Sequence, residues 1–346
     1  MVEAEAGAVA VAAEEAVAAD NPMIIAFNHE FHSHLDWRTA MRVLVHRALG
    51  AFLGLTFLIL SASAQAPAQK VFATPDDAAK ALQTAFKTDD IPALTAMFGT
   101  DVNTAFSSGD ATADKNDRQT IALAMGETWR WVPLGATKKQ LIIGDEAWPF
   151  PIPLAKVGSG YQFDTKAGEE EVLARRVGRN ELNVIQLCRT YVDIQENYAG
   201  QGHDGKPSGL YAQKIASTPS TQDGLYWAVK TGEPPSPMGD LAAQAEAVGY
   251  QREKTPNAPF MGYYFRVLTE QGPAAPGGAR SYIVDGNMSD GFALIAYPAK
   301  YGYSGVMTFI VNQSGIVYQK DLGKDTDQIA SGIKAYNPDT SWTMVP

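Results

Sequence analysis

The stretch that most constrains this chain runs from about Gly168 to Tyr198, where apolar residues recur with the period of an α-helix. Val184, Leu187, Tyr191, Ile194 and Tyr198 follow one another at spacings of 3, 4, 3 and 4, which places them on one side of a helix. Leu182, Ile185 and Val192 widen that row into a broad apolar face, with Cys188 between the two stripes. A helix with so wide a face must have neighbours on more than one side. Its first half has a different character, because Arg175, Arg176, Arg179, Asn180 and Glu181 stand together there.

A second feature decides which residues remain in the mature chain. From Met41, "MRVLVHRALGAFLGLTFLILSASAQA" has basic residues at Arg42 and Arg47, an apolar run from Ala48 to Leu60, and small residues at Ala62, Ala64 and Ala66. That is the layout of a secretory signal peptide, here 41–64. The apolar run has 13 residues, short of the roughly 20 that span a bilayer. The chain is thus expected to meet the membrane only transiently, and to be periplasmic or secreted. Residues 1–40 then read as an over-extended gene start or a disordered extension. His29, His32 and His34, which resemble a metal cluster, would be absent from the exported protein.

Export changes the chemical inventory. Residues 1–64 hold seven acidic residues, three basic residues and four of the five histidines. What remains has a net charge of −6, with His203 as its histidine and Cys188 as its cysteine. Zinc sites need three or four His, Cys or carboxylate ligands, and Ser-His-Asp or Cys-His catalysis needs a histidine beside the nucleophile. No metal and no cofactor is expected. A lone cysteine forms no intramolecular disulfide. The acidic balance argues against nucleic acid, whose phosphates call for a basic surface.

The 346-residue length allows two domains. In "FATPDDAAKALQTAFKTDDIPALTAMFG", Thr74 caps a helix with Pro75 at its first position, and Asp89-Asp90 separates it from a second that ends at Gly99. "SSGDATADKND" reads as a polar loop and residues 118–130 as a helix. "KKQLIIGD" and "WPFPIPLAKVGSGYQFDT" alternate like strands around a Gly-Ser-Gly turn, with Pro149, Pro151 and Pro153 marking an edge or bulges. This element order resembles the cone-shaped NTF2-like folds over 72–168. Residues 169–255 form a central helical region, with a short helix or turn at "LYAQKIAS" and a helix at "DLAAQAEAVGY" capped by Asp240. From 256 to 346, "MGYYFRVLTEQ", "RSYIVDG", "GFALIAYPA", "GVMTFIVN" and "GIVYQKDLG" make an antiparallel β meander, followed by a short helix at "DTDQIASGIKAY". The fold class is α+β.

Several of these segments carry a family resemblance. "WPFPIPL", "GRNEL", "YAQKIASTPS", "GYYFRVLTEQGPAAPGGA", "GFALIAYPAKYG" and "GVMTFIVNQSGIVYQKDLG" resemble the bacterial family of domain of unknown function 2950, from about Phe72 to the C-terminus. The resemblance implies an exported bacterial protein and brings no catalytic residues with it. Residues 260–323 also look like the sheet of type IV pilin and pseudopilin heads. The leader here is of the ordinary cleaved kind, so only the sheet architecture carries over.

Arg175, Arg179, Asn180 and Glu181, with Trp148, are the candidate ligand-binding residues, because guanidinium groups suit carboxylates and phosphates. The opposing reading is a charged start to a core helix, with Glu171 four positions before Arg175 and Gly178 marking close packing or a kink. Trp227, Tyr226, Tyr263, Tyr264, Tyr301 and Tyr303 either stack on a ligand or fill strand faces. His203-Asp204 reads as a surface loop, and Asp285, Asn287 and Asp290 as turn residues. The function expected is a non-catalytic module of the cell envelope that binds a partner protein or a small anionic ligand. The alternatives are a metal-independent hydrolase built on carboxylates and arginines, and a pilin-like assembly component.

Overall fold

In the computed structural model the described residues are 69–99, 106–230, 232–250 and 258–346. The expected extension 1–40, the expected leader 41–64 and the early histidines lie outside them. Helix α1 (Pro75–Lys87) begins where the sequence says: the Thr74 side chain accepts from the Asp77 amide, and Pro75 follows. Its buried face is Ala78, Ala79, Leu82, Ala85 and Phe86. Asp90 caps α2 (Ile91–Phe98), which stops at Gly99 with φ of 80°, a left-handed value that glycine adopts without strain.

The next helix departs from the sequence reading. Helix α3 spans Ala111–Glu127, so it starts within the stretch read as a loop. The cause is local and tertiary together. Asp110 caps it through the Ala113 amide, and its polar first turns are held from elsewhere, Asn116 by the Val248 carbonyl at 2.8 Å and Arg118 by Asp89 at 2.6 Å. Residues 129 and 130, assigned to that helix by pattern, belong to a strand instead.

That strand, β1 (Trp129–Leu134), opens an antiparallel sheet with β2 (Lys138–Ile143), β3 (Trp148–Pro149), β4 (Leu154–Val157) and β5 (Gly160–Phe163). The order is β1-β2-β4-β5, with β3 also on β2. Among the described residues β1 pairs only with β2, so it is an edge there and tolerates Pro133, which has no amide to donate. Leu141, Ile143, Leu154 and Phe163 face α1 and α2 in the first core. Phe86, Phe98, Phe106, Phe150 and Phe163 fill this space with ring centroids 5.1–6.4 Å apart.

Helix α4 (Thr165–Ala199) is 35 residues long, about 52 Å at 1.5 Å per residue. Asp164 caps it through the Ala167 amide. Its buried residues include Val172 of the first core, then Val184, Cys188, Tyr191, Ile194 and Tyr198 of a second one. The second core lies on a sheet of β6 (Tyr263–Leu268), β11 (Ala293–Pro298), β12 (Met307–Asn312), β13 (Tyr318–Asp321) and β15 (Thr343–Met344), ordered β15-β13-β12-β11-β6 and antiparallel throughout. The fold is α+β.

Smaller pieces complete this half. β9 (Ile283–Val284) and β10 (Asn287–Met288) form a hairpin closed by Asp285-Gly286, both at positive φ, the two-residue turn that Asp-Gly favours. β14 (Ala335–Tyr336), β7 (Glu270–Gln271) and β8 (Arg280–Ser281) make a short mixed sheet. Helix α5 (Gly239–Ala247) has Met238 rather than Asp240 at its cap position, with no side-chain cap bond. Helix α6 (Thr326–Gly332) ends against Arg266, whose Nη2 donates to the Ala330 and Ile333 carbonyls at 2.8 and 2.7 Å. Its carbonyls thereby find the partner that a helix end lacks. "LYAQKIAS" forms no helix. Among the described residues no helix is long and apolar enough to cross a membrane.

Candidate functional site

The buried residues of α4 fall four apart: Val172, Arg176, Asn180, Val184 and Cys188. Arg176 and Asn180 are the polar middle of an otherwise apolar stripe, between the residue that joins the first core and those that join the second. Around them gather α3 and the turns that precede β6 and β12.

Each expected site residue has a different intrachain partner. Arg175 donates from Nε to Glu171 and from Nη1 to the Pro149 carbonyl, both at 2.8 Å, and its guanidinium lies 4.9 Å from the Trp148 ring centre. Arg179 donates to Asp117 of α3 at 2.6 Å. Asn180 donates to the Ser304 carbonyl at 2.9 Å. Glu181 accepts the Val306 and Met307 amides at 2.8 and 2.9 Å through one oxygen, Oε1. Trp148 and Arg175 thus come together, while Arg179 turns to α3 and Asn180 and Glu181 turn to the strand entering β12.

Sequence reasoning passed over two buried acids of this region. Asp110, 2% exposed, caps α3 and also accepts the Tyr250 hydroxyl and the Gly262 amide at 2.8 and 3.0 Å. Asp114 accepts the Ser108 amide at 3.0 Å through both oxygens. Burial raises the Asp114 carboxyl, against the pull of Ser108 and the Arg176 charge. Burial lowers Arg176, against the pull of Asp114 and Asp117. Burial, then the Asp110 charge, pushes the Tyr250 hydroxyl up. The available signal was phase: Arg176 and Asn180 keep step with Val172 and Val184, so burial on the helix alone implied burial of both. The partners in α3 and near Tyr250 had no such signal.

These contacts bind α4 to the rest of the chain. A carboxylate that transfers a proton needs a lone pair directed at substrate, whereas the Asp110 oxygens and Oε1 of Glu181 meet backbone or tyrosine donors. A network of this kind costs desolvation and returns it only through complete pairing. It lies at the joint between the residues of α4 that enter the first core and those that enter the second.

Partners within the chain surround the remaining candidates as well. His203 is buried, with Nε2 donating to the Tyr198 carbonyl at 2.9 Å and Nδ1 3.1 Å from Gln222 Oε1. Its ring stacks on Tyr198 with centroids 4.0 Å apart. Asp204 accepts the Gln222 amide at 2.8 Å. Cys188 is fully buried, and burial pushes its thiol up to about 12, so the reactive thiolate is suppressed. Tyr263 is a core residue whose hydroxyl donates to the Met307 carbonyl at 3.0 Å. Tyr264 pairs with Tyr297, Tyr301 donates to Asp321, and Tyr303 lies under Lys300. Among the described residues no three or more His, Cys, Asp or Glu side chains are placed to hold a metal.

No curated protein and no solved structure matches the chain. Residues 69–345 do match a family model, and both cores, α4 and the joint fall inside that span. The chain therefore belongs to the family described as protein of unknown function, DUF2950.

Proposed function

We propose that the protein is exported and acts as a non-catalytic binding module of the cell envelope. The observation that carries this reading is the use made of the arginine–carboxylate cluster. Glu181 accepts backbone amides, Arg179 pairs with Asp117, and Arg175 is held by Glu171 and Pro149. The cluster that a carboxylate-and-arginine hydrolase would need thus serves to fasten α4. Phenylalanine rings pack against one another in the first core beside it. A two-core body with a removable leader suits recognition. The test is mass spectrometry of the natively produced protein, combined with a pull-down from envelope extract. A chain beginning near Gln65 that retains a specific partner or ligand at micromolar concentration is expected. An intact leader, or no retained partner, overturns the reading.

A further inference from the structure

The first sheet ends in two hairpin tips. Residues 135–137 join β1 to β2, and Gly158-Ser159 joins β4 to β5. Lys138 pairs with Ala155, and the Lys156 amide donates to the Thr137 carbonyl at 2.8 Å, so the tips are neighbours. Residues 132–137 and 156–159 are all exposed. Side chains alternate between the faces of a sheet, and Leu141, Ile143, Leu154 and Phe163 take the face toward α1 and α2. Leu134 and Val157 therefore take the other face: Leu134 shares a row with Lys138 and Ala155, and Val157 stands opposite Gly160. Val71 joins them, because Phe72 bridges to Tyr161 and a Cβ on Gly160 would lie 2.6 Å from Val71 Cγ1. Val71, Leu134 and Val157 are 52, 46 and 45% exposed, so water meets about half of each.

Charge sets this end of the sheet apart from the rest of an acidic chain. The two hairpins, 129–143 and 154–163, hold Arg130, Lys138, Lys139 and Lys156 and no acidic residue, whereas the whole chain carries −10. Arg130, Lys139 and Lys156 form no ion pair among the described residues. The acids nearby are accounted for. Asp164 pairs with Lys138 at 2.7 Å. Asp76 and Asp77 begin α1, which packs on the opposite face from Val71, Leu134 and Val157, with Lys70 ahead of them. Asp145 and Glu146 follow the far end of β2. The chain also arrives here from the apolar run Ala48–Leu60 of the expected leader. Eight residues, 61–68, separate Leu60 from Gln69, a reach of at most about 29 Å. A segment expected to enter a bilayer thus delivers the chain beside the two tips.

We infer that the two tips dock on the surface of an anionic lipid bilayer. Val71, Leu134 and Val157 enter the headgroup layer while Lys139 and Lys156 meet lipid phosphates, and the two attractions add. The inference deepens the envelope-module reading by making its partner a lipid surface, and it rests on export. The experiment is flotation of the natively produced protein with vesicles of phosphatidylcholine, alone or with an equal part of phosphatidylglycerol, at low and high salt. Binding to the anionic vesicles at low salt is expected, about tenfold or more weaker on neutral vesicles and at high salt. Lys156→Gln should weaken it about fivefold, and Leu134→Asp combined with Val157→Asp should abolish it. All three positions are exposed, and an unchanged Tm shows that the fold is kept; if the double variant melts early, Lys156→Gln decides. No binding, equal binding to both vesicles, or binding indifferent to these substitutions overturns it, the last being the result if an uncleaved leader alone held the vesicle. A failed pull-down with successful flotation removes a protein partner and keeps the lipid surface; the reverse removes the lipid surface alone.

Discussion

Glu181 and Val306 are 125 positions apart in the chain and 2.8 Å apart in space, with the Val306 amide donating to Glu181 Oε1. The adjacent Met307 amide donates to the same oxygen at 2.9 Å. One carboxylate on the middle of α4 therefore fixes the entry of β12 into the second sheet. On the other side Asp110, at the start of α3, holds the Gly262 amide just ahead of β6. Strands β12 and β6, which lie on either side of β11, are thus tethered by Glu181 of α4 and by Asp110 at the start of α3.

Glu181→Ala removes the acceptor of two amides at once. Both amides are only partly buried; a fully buried donor left without a partner costs about 1–3 kcal/mol, so a loss of about 1–2 kcal/mol is expected in urea unfolding. Glu181→Gln keeps an oxygen at the same place and should lose less. Equal losses for both would mean that the charge, and not the acceptor, matters.

Gly178 gives the opposite sign. The expected close packing is not found, since a Cβ there would meet nothing within 4 Å and the residue is exposed. Glycine inside a helix is about 1 kcal/mol worse than alanine. Gly178→Ala should stabilise by roughly that amount, read as a rise of a few degrees in Tm. Gly168, ten positions earlier, is a true contact: a Cβ would lie 2.7 Å from Ile152 Cα and from the Pro151 carbonyl. Gly168→Ala should therefore destabilise.

Asp164 links the α4 cap to pH. The hydrogen bond from Lys138 at 2.7 Å, outweighing burial, holds its carboxyl below the ordinary 3.8. A lowered carboxyl contributes stability above about pH 3.8 and loses it as pH falls through the folded-state value. The pair is partly exposed, so its share is about 0.2–1 kcal/mol, and the cap adds about 1 kcal/mol. Asp164→Asn keeps a capping side chain and should flatten the acid limb of the stability profile. Asp164→Ala should lower stability at every pH.

Much of the fold follows from local chemistry. Thr74-Pro75 starts α1, Asp90 starts α2, the 3- and 4-residue spacing lays down α4, and Gly158-Ser159-Gly160 turns β4 into β5. Each depends on residues within a few positions of one another, which a sequence displays directly. Where the pattern misled, a distant partner had intervened. Helix α3 begins at Ala111 because its polar first turns find Val248, Tyr250, Gly262 and Arg179. "LYAQKIAS" stays irregular because Gln195 and Met288 take its backbone groups.

The sequence alone determined the helical phase of Arg176 and Asn180, the burial of Cys188 and the family to which the chain belongs. Only the tertiary structure decided which groups the charges meet. A guanidinium or carboxylate looks the same in a string of letters whether it meets a ligand or a backbone amide 125 residues away. Burial sets its energy and the partner sets its role, and both depend on contacts between segments whose separation along the chain carries no record of their distance in space.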